Sequence, residues 1–260
     1  MNASLLQPLL ALGALSLLVM LALWALQRRT RNAGPVDVAW ALLLGVAALG
    51  FGWFADGDVE IRIAVAVLGG LWGFRLGLHL LQRVLSEPED GRYAFLRAHW
   101  GGHQGKFFGF FVFQAGLVVL FAAPLLAAAQ NPNAPSALQL AAAVAIWLIA
   151  LGGEALADAQ LAAFRNEPTN RGRSCRAGLW RYSRHPNYFF EWLHWFAYVV
   201  LALGSPLFAL SWIGPVLMFV SLNWLTGIPF VEAQSLRSRG DDYRDYQRTT
   251  NRFFPWIPRT

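Results

Sequence analysis

Charge is scarce in this sequence, lysine nearly absent, and cysteine present once. Only 14% of the 260 residues are Asp, Glu, Lys or Arg, where a soluble domain carries about a quarter. That deficit argues against a soluble helical protein. The lone Cys175 excludes an internal disulfide, and its place in a polar loop reads as inert. Lys106 is the one lysine among 21 basic residues. An Ala- and Arg-rich, Lys-poor composition points to a GC-rich bacterium and so to its inner (plasma) membrane. Internal repeats and low-complexity linkers are also missing, which leaves a single domain over residues 1–260. No Gly-rich phosphate loop occurs in a strand–turn–helix setting. The five histidines form no HExxH or Cys/His array, and His99 and His103 are the only close pair, so no metal is expected. No Ser/His/Asp or Cys/His pattern supports a nucleophile.

What the sequence has instead is apolar length. Hydrophobic residues make up 56% of it, with twelve Trp, and the mean hydropathy is +0.40. Windows of about twenty residues give seven spanning segments, near 4–26, 35–54, 61–82, 107–129, 138–164, 187–203 and 206–231. An all-α, seven-helix membrane protein is therefore predicted. Nineteen of the 21 basic residues fall in the connections 27–36, 83–106 and 165–186 or in the tail 232–260. Positive residues stay inside, so the N-terminus is expected outside and the C-terminus in the cytoplasm. The net charge of +6 follows from this asymmetry and is no sign of nucleic acid. The first span has no basic leader or cleavage site and reads as an uncleaved helix.

Ionisable residues inside a membrane are costly and mark functional sites. The fifth span carries Glu154, Asp158 and Arg165, whose spacing of four and seven puts them on one helical face. A purely structural ion-pair ladder is the alternative. In the sixth, Asn187, Glu191, His194 and Tyr198 form one polar stripe, entered through Tyr182, Arg184, His185 and Pro186. Singly, Tyr182 and His185 pass as interfacial anchors; together the cluster reads as a site. The third span holds Arg75 and His79, followed by Arg83 and "EPEDGRY". Asp37 opens the second, where a helix dipole alone would also favour an acid. The tail, from Glu232 through "RSRGDDYRDYQRTTNRFFPWIP", alternates acid and base like a solvated amphipathic helix. Arginines crowd the same end of the chain, and guanidinium groups suit phosphate. A nucleotide, if bound, would sit among helices.

The stretch "GLWRYSRHPNYFFEW", preceded by "EALADAQLAAFR" and followed by "YRDYQRTTNRFFPWIP", resembles the steroid 5α-reductase superfamily, most of all its bacterial DUF1295 branch. "VDVAW", "WGFRL" and "EDGRY" resemble it more weakly, so the similarity covers about residues 37–258. The resemblance implies a seven-helix membrane enzyme that takes NADPH from the cytosol. It would reduce the C=C bond of an α,β-unsaturated ketone in a steroid-like or other lipidic substrate entering from the bilayer. It assigns Asn187 and Glu191 to the nicotinamide side, with Asp158 and Arg165 contacting the cofactor from the preceding helix. Arg83, Arg92, Asn170, Arg171, Tyr182, Arg184, His185, Glu232 and Tyr246 complete the expected cofactor contacts. Asp37 and Glu191 are the expected catalytic residues, and Trp40 and Trp72 the substrate-side ones; Trp72 stands where the steroid enzymes have a carbonyl-binding Tyr. Membrane lipids are expected around the chain, and no obligate protein partner is evident. The nearest rival is an S-adenosylmethionine-dependent methyltransferase resembling the isoprenylcysteine carboxyl methyltransferase group, which shares the "RHP-x-Y" turn. A transporter or lipid-binding scaffold is the non-enzymatic reading.

Overall fold

The computed structural model describes residues 3–259. All of its regular structure is helical, with no strand among the described residues. The long helices are α1 (Ala3–Thr30), α2 (Pro35–Phe54), α3 (Val59–Ser86), α5 (Gln104–Ala129) and α6 (Ala137–Asn166); α4 (Gly91–His99) is short. Beyond α6 the helices shorten: α7 (Pro186–Leu193), α8 (Trp195–Leu201), α9 (Phe208–Ser211), α10 (Ile213–Val220), α11 (Ile228–Arg239) and α12 (Asp241–Thr249).

Six stretches among the described residues are long and apolar enough to cross a membrane, where seven were expected. The last of them, Phe208–Arg239, is interrupted by a π-turn over Ser221–Leu225. The chain is a multi-pass membrane protein. The segment 187–203, expected as a continuous span, is instead the short pair α7 and α8, broken at His194. The ring Nδ1 of His194 lies 2.8 Å from the Glu191 carbonyl. That oxygen is the one an unbroken helix would offer to the next turn, so a side-chain donor there favours a break.

Two compact units make up the chain: Met1–Leu140 with Tyr198–Gly214, and Ala141–Ala197 with Pro215–Thr260. In the first, α2 packs along α3, and α1 and α2 both pack on α5. The α2–α3 seam is built of small residues, with Ala41, Gly45 and Ala48 facing Gly69 and Gly73. Helices in lipid associate through such close backbone approach. A Cβ at Gly73 would stand 2.6 Å from the Gly45 nitrogen and 2.9 Å from the Ala41 oxygen. Both are backbone atoms that cannot step aside. Gly73→Val is therefore expected to lower the apparent melting temperature of detergent-purified protein, costing about 1–3 kcal/mol or more. Gly116→Ala, on α5 with open space around it, should leave melting unchanged or raise it, since Ala is the better helix former.

In the second unit, the amino end of α7 is strapped to α6. The Trp180 indole N–H donates to the Ala157 carbonyl (2.8 Å), and the Leu179 amide donates to Gln160 Oε1 (2.8 Å). The aromatic tail of the chain closes the same unit. Phe253 and Phe254 lie edge-on against Trp192 at centroid distances of 5.7 and 5.6 Å.

Candidate active site

Within the second unit, the strap sets Asn187 beside α6. Pro186 starts α7, where its missing N–H costs nothing. Asn187 follows, and its amide is held from both ends. The Oδ1 accepts from the Tyr188 backbone N–H (3.0 Å), and Nδ2 donates to Asp158 Oδ1 (3.0 Å). The two motif segments read separately in the sequence thus meet in one hydrogen bond. Glu191 lies one turn further along α7, with its carboxylate 4.0 Å from His194 Nδ1. Tyr188 stacks on the His185 ring, 5.6 Å between centroids.

Further along α6, Arg165 stands seven residues from Asp158, roughly 10 Å away along the helix axis. It borders a cavity of about 160 Å³ whose walls include Arg171, Arg173 and Arg239 and no acidic residue. Asn170 shapes the turn beside it, donating from Nδ2 to the Phe164 carbonyl (3.0 Å). Gly172, with φ 76°, lets the chain reverse between the two loop arginines. Cys175 is in the same wall, and burial pushes its thiol up, which keeps it protonated. A hollow lined by four arginines and by no acidic residue suits phosphate. Arg173 was counted in the sequence among the arginines suited to phosphate but not among the expected cofactor contacts, and Arg239 was not named. The R-G-R spacing around Gly172 was the available signal for the first. Arg239 had none, because only the fold brings the end of α11 to this loop.

Other expected cofactor residues have a different role. Arg184 is buried and held inside the unit. Its Nε donates to Glu232 Oε1 (2.8 Å), and Nη1 donates to the carbonyls of Gln247 (3.1 Å) and Thr250 (2.6 Å). Glu232 also accepts from His185 Nε2 (3.2 Å), Tyr243 (3.3 Å) and Gln247 (3.1 Å). Burial holds the His185 imidazole below its ordinary value, so it is neutral at pH 7, with the proton assigned to Nε2 by this contact. The Tyr246 hydroxyl donates to the Trp180 carbonyl, and burial keeps that phenol protonated. Arg184, His185, Glu232 and Tyr246 therefore form an internal knot that fixes α12 and the tail. Tyr182 is exposed, and its carbonyl accepts from the Trp256 amide (2.9 Å).

The first unit holds the remaining expected residues. Asp37, in the first turn of α2, accepts from Arg92 Nη2 (2.9 Å) and from the Tyr93 hydroxyl (2.6 Å). Arg92 also pairs with Asp90, and Arg83 with Glu87 and Asp90, each at 3.0 Å. Both arginines, expected on cofactor phosphates, are thus engaged by acids of their own unit. Burial, with the Asp37 carboxylate beside it, pushes the Tyr93 phenol well above its usual range. The proton shared in this group is therefore the Tyr93 proton, a residue the sequence reading passed over. Trp40 meets Trp72 edge to face at 6.1 Å, and Trp72 is fully buried.

A sequence family described as "Protein of unknown function (DUF1295)" matches residues 23–250. The chain belongs to that family. DUF1295 is associated with the steroid 5α-reductase-like superfamily, which makes the protein a membrane enzyme of the steroid reductase-like type. The chain is 28% identical over 268 residues to the uncharacterized protein C594.04c of the fission yeast Schizosaccharomyces pombe, an alignment covering 90% of this chain and 75% of the relative. No solved structure matches. The Asn187–Asp158 pair and all four arginines of the hollow lie inside the matched region.

Proposed function

We propose that this DUF1295 protein reduces the C=C bond of an α,β-unsaturated ketone in a lipidic substrate, using NADPH. The observation that carries the reading is the arginine-walled hollow beside α6, with the Asp158–Asn187 pair further along the same helix. Four arginines lining one cavity whose walls include no acidic residue fit the phosphates of a dinucleotide. S-adenosylmethionine carries no phosphate and would leave them unused, which favours the reductase over the methyltransferase.

When bound, NADPH would supply the hydride for the β-carbon. Arg165, Arg171, Arg173 and Arg239 would hold its phosphates. Asn187 and Glu191 would orient its carboxamide, with Asp158 fixing the Asn187 amide. Within the first unit, Trp40 would offer a lipidic substrate flat apolar surface, backed edge to face by the buried Trp72. In the same unit, the group able to give up a proton would be Tyr93 Oη, with Asp37 as its hydrogen-bond acceptor and Arg92 fixing that carboxylate. This moves the acid from Asp37 itself, the residue favoured by sequence, to its partner. The dinucleotide is cytosolic, so the mouth of the site would face the cytoplasm from a bacterial inner membrane.

Thermal unfolding of the detergent-purified protein tests this reading. NADPH at a hundred times its Kd should stabilise the fold by about 2.7 kcal/mol, because a ligand that binds only the folded form shifts the equilibrium. Stabilisation by S-adenosylmethionine and not by NADPH would overturn the reductase in favour of its rival.

A further inference from the structure

We infer that the carboxyl end of α1 and the amino end of α5 form a binding surface for the headgroup of an anionic phospholipid. The two ends are fastened together. The Trp24 indole N–H donates to the Gln104 carbonyl (3.3 Å), and Gln27 Nε2 donates to Gln104 Oε1 (2.8 Å). Trp24 also meets Phe108 edge to face at 5.3 Å. Around this joint stand four exposed cations: Arg28, Arg29 and Arg31 at the end of α1, and Lys106 in the first turn of α5. Arg28 lies over the Trp24 ring, 5.1 Å from its centroid. An open groove runs beside it, lined by Ala25, Leu26, Arg28 and Arg29.

Among the described residues, none of these four charges pairs with an acid. The nearby carboxylates are already taken: Asp37 and Asp90 by Arg92, Glu87 by Arg83, and Glu89 by Arg97. A dipole at the end of α1 would favour one or two cations, but it does not account for Lys106 at the start of another helix. Arg31 is also held at φ 53°, the one non-glycine residue with a left-handed backbone among those described. Glycine is the favoured residue at that position after a helix, and a side chain there costs stability.

The acyl chains have a surface as well. The face of α1 leading to the joint is apolar and exposed, with Leu18 at 68% and Leu26 at 45%. Only 17% of its most apolar window is buried. A basic cluster at the end of a membrane helix, continuous with bare apolar helix surface, matches a ligand that has a negative phosphate and hydrocarbon tails. A second copy of this chain would bring the same cations to the joint and repel.

Native mass spectrometry of the full chain tests this inference. The protein is released from detergent with equimolar phosphatidylglycerol and phosphatidylcholine of identical acyl chains. Wild type should retain phosphatidylglycerol preferentially. Each charge removed should weaken retention roughly fivefold, so the triple variant Arg28→Gln, Arg29→Gln, Arg31→Gly should lose the preference. Arg31→Gly alone suits the left-handed backbone, so it should melt no lower than wild type and still lose its fivefold share. Arg28→Lys with Arg29→Lys should keep the preference. Equal retention of both lipids by wild type would overturn the inference, as would undiminished retention in the triple variant. So would complete displacement by millimolar inorganic phosphate, or a lipid-free dimer. None of these outcomes depends on the proposed reduction.

Discussion

Arg184→Met protein should melt far below wild type, by something of the order of 10 °C, while the exposed Arg83→Ala barely moves. Arg184 is 8% exposed. One guanidinium joins the loop before α7 to Glu232 on α11 and to the Gln247 and Thr250 carbonyls in the tail. Taking it away leaves a carboxylate and two carbonyls short of a donor in a dry place. Breaking a buried pair from one side costs about 3–5 kcal/mol, chiefly because the partner stays behind uncompensated. Arg83 pairs with Glu87 where both side chains are about half exposed, and such pairs contribute about 1 kcal/mol or less. Arg184→Lys should recover only part of the loss, since one ammonium cannot reproduce the planar fork. Equal melting of Arg184→Met and wild type would show that the tail is held by its aromatic contacts alone.

That knot also marks where the sequence ceased to be readable. Apolar length and the spacing of rare ionisable residues are one-dimensional signals. They located the long helices and placed Glu154, Asp158 and Arg165 on a common face of α6. The steps within "HPNYFFEW" likewise put Asn187 and Glu191 on one face of α7. Hydropathy averages over a window, so it could not register the His194 ring taking the Glu191 carbonyl and ending α7 early. Nor does an arginine in a polar loop announce its partner. Arg184 and Arg171 read alike in the sequence, yet one is spent on Glu232 and the other borders a cavity. Arg239 and Tyr93 were missed for the same reason. Each acquires its role from a segment distant in sequence: the loop at Arg171 in one case, Asp37 in the other.

Asn187→Leu is expected to slow enone-dependent NADPH oxidation by between about ten- and a hundredfold, since a hydrogen bond to a charged group contributes about 1.5–3 kcal/mol. Leucine keeps the volume and the helix start at Pro186, so the change is chemical. Two hydrogen bonds vanish with the amide: the donation to Asp158 and the acceptance from the Tyr188 amide, both at 3.0 Å. If the amide only braced α7 against α6, the variant would melt lower and bind NADPH as wild type does. If it meets the carboxamide of the dinucleotide, the stabilisation NADPH confers should shrink, whatever the melting point of the unliganded protein. Removing a guanidinium from the hollow, as in Arg239→Gln, should weaken NADPH binding at the phosphates and leave the turnover of bound substrate closer to normal. The two variants therefore separate the ends of the ligand: Asn187→Leu should lower kcat as well as affinity, and Arg239→Gln chiefly affinity. Wild-type turnover together with an undiminished NADPH-induced shift in Asn187→Leu would remove α7 from the reaction and leave the hollow to some other phosphate.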